Sequence, residues 1–234
     1  MVLLHYITGL DARYSMPRVG VMRVTVVGEE SPLARWILAL LRDKSTPRYR
    51  FRAVMEAAGS LLAPHVSRSM EWVERRVETP LGVAVELWSS EEPLVVGILG
   101  AAVPLVEGFT RLLPEARIGF VAARRVEAPG SVRVEVYYDR LPSRAPRLNN
   151  VILDPMLATG STMSIAMEML ARRGAERVIL GTVIASNKGI ETVGDTASRL
   201  GLEAHVYTLG LDPSLDDRFF IVPGLGDAGD RALG

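Results

Sequence analysis

Apolar and polar positions follow two rhythms along this chain. From Pro32 to Leu41, "PLARWILALL", apolar residues recur every three or four positions, which predicts a helix with proline in its first turn. Arg50–Leu62, "RFRAVMEAAGSLL", repeats that spacing and predicts a second helix. "VETPLGVAVELW" (Val77–Trp88) then reads as a hairpin arm bent at Pro80 and Gly82. Beyond it, strands and helices take turns. "PLVVGIL" (Pro93–Leu99) is a continuous apolar run, as expected of a strand buried on both faces of a parallel sheet. Pro104–Leu113 reads as a helix and Ala116–Ala123 as the next strand. "VRVEVYYDRL" (Val132–Leu141) alternates with period two, which predicts a hairpin strand with one wet face. Asn150–Asp154, Arg177–Ala185 and Glu203–Leu211 are further strands. Helices over Thr162–Gly174, closed by Gly174, and over Gly189–Leu200 separate them.

This alternation predicts one α/β domain over residues 22–234, with a mainly parallel sheet flanked by helices. Residues 1–21 show no period and read as an N-terminal extension ahead of a strand near Met22. Composition adds exclusions. The 27 basic residues balance 27 acidic ones, so no basic field exists to hold nucleic acid. Cysteine is absent, which excludes disulfides and thiol catalysis. No window approaches the ~18 apolar residues of a membrane span. The first twenty residues also lack the apolar core of a signal peptide. The expectation is a cytoplasmic protein with no membrane partner.

The chemistry concentrates in "NNVILDPMLATGSTM" (Asn149–Met163). A strand that delivers Asp154 at its carboxyl end puts a carboxylate where α/β sheets bind ligands. Ala158–Thr162 then precede a helix with Met163, Ala166, Met167 and Leu170 on one face. A helix amino end offers N–H groups and partial positive charge, which suits a phosphate. Gly160 allows close backbone approach, and Thr159, Ser161 and Thr162 add hydroxyl donors. The competing reading is an ordinary helix cap. Elsewhere, "GLGDAG" (Gly224–Gly229) matches G-x-G-x-x-G, but only five residues follow it. No helix or crossover is expected there, so a dinucleotide site is rejected. His5, His65 and His205 are scattered and read as surface or packing residues, and Met163–Met169 read as core.

The strand, the acid and the following Thr-Gly resemble the fingerprint of type I phosphoribosyltransferases. With Pro155 after the acid, "DPMLATG" is similar to the variant found in uracil phosphoribosyltransferases. The resemblance spreads from Met22 onward. It includes the amino-terminal helices with Phe51-Arg52, "PEARIGFVAARR", "YYDRLP" and the tail "IVPGLGDAGDRALG". It implies a type I phosphoribosyltransferase-like fold with a β-arm and a small base-binding hood from the C-terminal segment. The implied reaction joins uracil to 5-phosphoribosyl 1-pyrophosphate, giving UMP and pyrophosphate. The implied ligand runs along Asp154, Pro155, Met156, Leu157, Ala158, Thr159, Gly160, Ser161 and Thr162. Asp154 would hold the ribose hydroxyls and Thr159–Thr162 the 5-phosphate, with Arg125 reaching the same ligand. Gly100, Ala101 and Ala102 would face the pyrophosphate. Backbone groups of Ile221, Gly226, Asp227 and Ala228 would meet the uracil edge, and Asp227 would join Asp154 beside the reacting centre. The resemblance further implies Mg²⁺ carried mainly by the substrate pyrophosphate, with no protein metal site. It also implies a homodimer or homotetramer, with room for nucleotide effectors.

Two positions depart from the family pattern. The pyrophosphate loop, usually Arg-Ala-Gly-Leu-Pro, reads Gly100-Ala101-Ala102-Val103-Pro104, and a tail tyrosine is replaced by Phe220. Three readings follow. Another cation, Arg124 or Arg125, replaces the arginine in an active enzyme; the chain is a weak or inactive relative that binds UMP as a sensor; or it serves another base.

Overall fold

In the computed structural model the apolar runs become strands and the periodic segments become helices. Described residues are 5–6, 22–128 and 131–234, the side chains of 5–6 and 124–134 excepted. Strands β1 (His5–Tyr6) and β2 (Met22–Val26) precede helices α1 (Val27–Glu30), α2 (Pro32–Arg42) and α3 (Arg48–Val66). An arm of β3 (Trp72–Thr79) and β4 (Gly82–Ser89) follows. Then come β5 (Leu94–Ile98), α4 (Ala102–Thr110), β6 (Arg117–Ala128) and β7 (Ser131–Arg140). Next are β8 (Asn150–Leu153), β9 (Met156–Leu157), α5 (Ser161–Ala171), β10 (Arg177–Ser186), α6 (Asn187–Leu200) and β11 (Glu203–Asp212). The tail holds β12 (Ser214–Leu215), β13 (Ile221–Val222) and α7 (Ala228–Leu233).

The main sheet runs β1-β2-β11-β10-β8-β5-β6-β7, with β9 also beside β10. Every pairing in it is parallel except the edge hairpin β6–β7. Strands β5 and β8 are buried throughout. The pleat splits their side chains between two cores. Val151 and Leu153 face α2, α3, α4 and α7, whereas Ile152 faces α5 and α6. Met163, Ala166, Met167 and Leu170 all lie in the second core, as their spacing predicts.

Local chemistry sets the helix ends. Ser31 Oγ accepts the Ala34 N–H, and Pro32 starts α2 where its missing N–H is not needed. α3 extends beyond the predicted Arg50–Leu62 because Ala63 and Val66 remain in the core on either side of Pro64. α4 starts at Ala102, so Pro104 is its third residue, where no intrahelical N–H bond is due. α3 and α4 pack backbone to backbone. A Cβ on Gly59 would collide with the Leu105 carbonyl oxygen, and one on Gly108 with that of Glu56.

Two expectations are corrected and one strand is added. Residues 135–140 of β7 are exposed on both faces, because in the single chain neither helical layer covers this outer strand, whereas Val121 and Ala122 of β6 stay buried. Met156–Leu157, which the sequence pattern assigns to no element, rejoins the sheet as β9. The tail does form a helix, the six-residue α7, because Asp227 caps it by accepting the Asp230 N–H at 3.0 Å. The strand before the motif, β13, pairs antiparallel with β12 outside the main sheet, so no βαβ unit is built there and the dinucleotide reading still fails.

Candidate active site

Parallel strands end at one edge, and the loops after β5, β8 and β11 all leave from it. Leu153 is level with Gly97 on β5 and Gly181 on β10. Asp154 therefore emerges from the middle of the sheet, as its sequence context predicts. The Asp154 N–H donates to Gly181 O at 3.2 Å, and Pro155 O accepts from both Val183 and Ile184 N–H at 3.1 Å. The ladder is thus interrupted at Asp154-Pro155 and resumes at β9 in the same register. Asp154 Oδ1 accepts the Met156 N–H at a long 3.4 Å. The residue keeps some accessible surface, yet the protein packed around its carboxyl penalises the charge. Burial raises its pKa from 3.8 to about 7, against a small opposing pull from the Met156 bond. A carboxylate under that penalty favours a partner that supplies hydroxyl donors or positive charge.

Leu157 belongs to the core and Met156 packs against it, so these residues can offer a ligand only backbone. Pro155 is buried as well. The segment then reaches Gly160 at φ 78°, a left-handed conformation that glycine adopts most readily. Gly160 is the cap position of α5 and has no side chain to cap it. The Thr159 and Ser161 hydroxyls lie 3.1 Å apart at its mouth. The ordinary cap is therefore weak: the cap residue is a glycine, and the Ser161 N–H reaches only the Thr159 hydroxyl, at a long 3.4 Å.

Sequence reasoning missed what holds this loop. The buried Ser186 hydroxyl donates to Ala158 O at 2.6 Å and accepts the Gly189 N–H at 2.9 Å. Gly189 has no room for a side chain, because a Cβ would strike the Leu157 carbonyl oxygen. The serine-before-helix cap was readable, but its Ala158 partner lies 28 positions away and left no local signal.

Beside β8, the loop after β5 brings Gly100, Ala101 and Ala102 to the same edge. Gly100 has φ 126°, and nothing stands within 4 Å of where its Cβ would be. Ala102 is fully buried at the start of α4, a helix without a side-chain cap. Two helix amino ends whose cap residues offer no side-chain acceptor, α4 and α5, thus open at adjacent strands. Arg124 and Arg125 belong to β6, but their side chains lie outside the described residues.

The tail leaves β11 at this edge. Ile221 sits opposite Leu215 and its side chain is in the core, so only its backbone is available to a ligand. Gly226 is exposed at φ 78°, Asp227 is half-buried as the α7 cap, and Ala228 is buried. Phe220, which lacks a hydroxyl, lies under the Arg218 guanidinium at 5.4 Å. His205 behaves as the packing residue expected. It stacks on Tyr207 at 4.2 Å and bonds Thr25 and Ser69, while burial, aided by Arg23, lowers its pKa to about 3. A groove of about 700 Å³ between α2 and α3 is lined by Leu33, Trp36, Leu40, Leu61 and other apolar groups. It suits a protein surface better than a phosphate. Among the described residues no three His, Asp or Glu side chains cluster to hold a metal.

Comparison with known proteins agrees with this geometry. A family model described as uracil phosphoribosyltransferase matches residues 28–234. A uracil phosphoribosyltransferase from Aeropyrum pernix is 52% identical over 215 residues, covering 92% of this chain and 98% of the relative. One from Pyrobaculum arsenaticum is 43% identical, covering 86% and 94%. The solved AQ2163 protein of Aquifex aeolicus is similar in fold, with TM-score 0.77, 29% identity, and coverage of 86% and 94%.

Proposed function

The chain belongs to the uracil phosphoribosyltransferase family, and from that premise we propose that it converts uracil and 5-phosphoribosyl 1-pyrophosphate to UMP and pyrophosphate. The carrying observation is the glycine-started, weakly capped α5 amino end that opens beside Asp154 on the sheet's carboxyl edge. In the reaction the ribose C1–O bond to pyrophosphate breaks, a C1–N1 bond to uracil forms, and N1 loses its proton. The 5-phosphate would rest on the N–H groups of Ser161 and Thr162 and the hydroxyls of Thr159–Thr162. Asp154 would take the ribose hydroxyls, and its charge would stabilise the cationic ring as the leaving group departs. The α4 amino end at Ala101–Ala102 would receive the pyrophosphate in place of the family arginine, with Arg125 as a further cation. Backbone at Ile221 and Gly226–Ala228 would read the base, and Asp227 would stand by the reacting centre.

Mg²⁺ would neutralise charge on the departing pyrophosphate. The donor set suits an ion held mainly by substrate oxygens, since Mg²⁺ keeps much of its shell from water and phosphate. Asp154 is the chain's nearest candidate to touch it through the ribose. Exposed Leu81, Val83, Val85 and Leu87 on the arm, together with the α2–α3 groove, support a homodimer or homotetramer. Among the described residues no helix is long and apolar enough to cross a membrane, and a cytoplasmic location completes the proposal.

Formation of UMP and pyrophosphate from purified protein, uracil, 5-phosphoribosyl 1-pyrophosphate and Mg²⁺ tests it. UMP binding without turnover would overturn it in favour of a sensor, the reading that the missing loop arginine at Gly100 favours. Turnover of a different base instead would reassign the substrate.

A further inference from the structure

We propose that Arg42 and Asp212 are positioning residues for base selection, holding the turn that carries the base-reading backbone. This rests on the tail being the uracil site. Asp212, the last residue of β11, is buried. Arg42, the last residue of α2, grips it with a fork: Nη2 to Oδ1 at 2.7 Å and Nη1 to Oδ2 at 2.8 Å. The same pair takes both backbone groups of Gly224. Asp212 Oδ2 accepts its N–H at 2.7 Å, and Arg42 Nη1 donates to its carbonyl at 2.9 Å.

A second anchor lies beyond the base-reading residues. Arg231 donates to Leu225 O and Asp43 O at 2.6 Å and also to Leu41 O, and lies 4.3 Å over the Phe51 ring. Arg52 adds a 3.0 Å bond to Ala232 O. Residues 225–230 are thus suspended between two anchors, each fixed to the carboxyl end of α2. An ion pair that served stability alone could be exchanged for apolar packing. Here its remaining bonds both go to Gly224, two positions before Gly226.

The consequence for chemistry is specific. Uracil differs from cytosine at one base edge, where a carbonyl replaces an amino group. Backbone can tell them apart only if its donors and acceptors are fixed to within about 0.5 Å. Asp212 and Arg42 touch no substrate in this scheme; they act through Gly224.

The test uses the full-length protein with Arg42→Gln, Arg42→Lys and Asp212→Asn. The Michaelis constant for uracil should rise ~10-fold or more while that for 5-phosphoribosyl 1-pyrophosphate stays within about twofold. Preference for uracil over cytosine should fall in the same variants. Arg42→Lys should recover part of the loss, because it keeps the charge but not the fork. It also carries the comparison if Arg42→Gln does not fold. Amide exchange over residues 221–228 should quicken while β8 and β10 keep their protection. Unchanged uracil constants and exchange in an active parent would overturn the proposal, and so would equal changes for both substrates, which would mark a general brace. If the parent does not act on uracil, the functional reading has failed and exchange alone decides: selective loss over 221–228 supports the anchoring, and unchanged protection overturns it.

Discussion

Replacing Asp154 with asparagine should strengthen the empty protein while it weakens the enzyme. At pH 8 the carboxyl is ionised in both folded and unfolded chains, but only the folded chain bears the cost of its burial. The folded pKa of about 7 exceeds the ordinary 3.8, so that cost grows as pH rises from about 4 to about 7 and is constant above. At 1.36 kcal/mol for each tenfold change in the acid equilibrium, it amounts to something on the order of 4 kcal/mol. The residue's partial access to solvent makes this an upper bound. The Asp154→Asn amide oxygen can still accept the Met156 N–H, so little is lost in exchange. The ligand-free variant should therefore gain about 1–4 kcal/mol at pH 8 and close to nothing at pH 4. Its affinity for 5-phosphoribosyl 1-pyrophosphate should meanwhile fall ~10-fold or more, the worth of a charged hydrogen bond. Guanidinium midpoints at pH 4, 6 and 8, at one protein concentration, read the first effect, and substrate kinetics read the second. Lower stability of the variant at pH 8, or a gain that ignores pH, would refute the reasoning.

His205 should produce the opposite trend. Its folded pKa of about 3 lies below the ordinary 6.5, so stability is lost as pH falls below about 6.5, and His205→Gln should abolish that loss when midpoints at pH 7 and 4.5 are compared. Gly160→Ala should cost at least about 1–2 kcal/mol, because φ 78° strains any side chain and the added Cβ would lie 2.9 Å from the Gly189 carbonyl oxygen, and it should raise the Michaelis constant for 5-phosphoribosyl 1-pyrophosphate. Paired urea melts and kinetics would expose an error if the constant alone stayed fixed. An arginine restored to the pyrophosphate loop should help more at Ala101 than at Gly100. Ala101 has an ordinary φ of −64°, whereas Gly100 at 126° would impose about 1–3 kcal/mol of strain. Lower turnover in Ala101→Arg would show that the loop lacks nothing.

Much of the architecture was legible because burial on both faces leaves unbroken apolar runs at β5, β8 and β10. The hairpin arm was legible from Pro80 and Gly82. Asp154 and the α5 approach stood out because strand, acid and Gly-Ser-Thr follow one another without a gap. β9 was not legible: Asp154-Pro155 interrupts the run, and only the renewed pairing with β10 reveals that the strand resumes. α7 could have been foreseen from Asp227 and Asp230, a cap spacing hidden inside the glycine-rich motif. Pairs such as Arg42 with Asp212 leave no trace in a single sequence, because 170 positions separate them.

The backbone contact between α3 and α4 has a meaning for how this lineage can change. Most positions have a neighbour in sequence space one small step away. Gly59 and Gly108 do not, since even one methyl group already meets a carbonyl of the other helix. Both lie on the helices rather than at the carboxyl edge of the sheet, yet they set where α4 stands and therefore where its amino end opens. Drift can rewrite the surfaces of both helices freely, but that opening can move only if both positions change with their surroundings at once. Its placement is inherited as a unit.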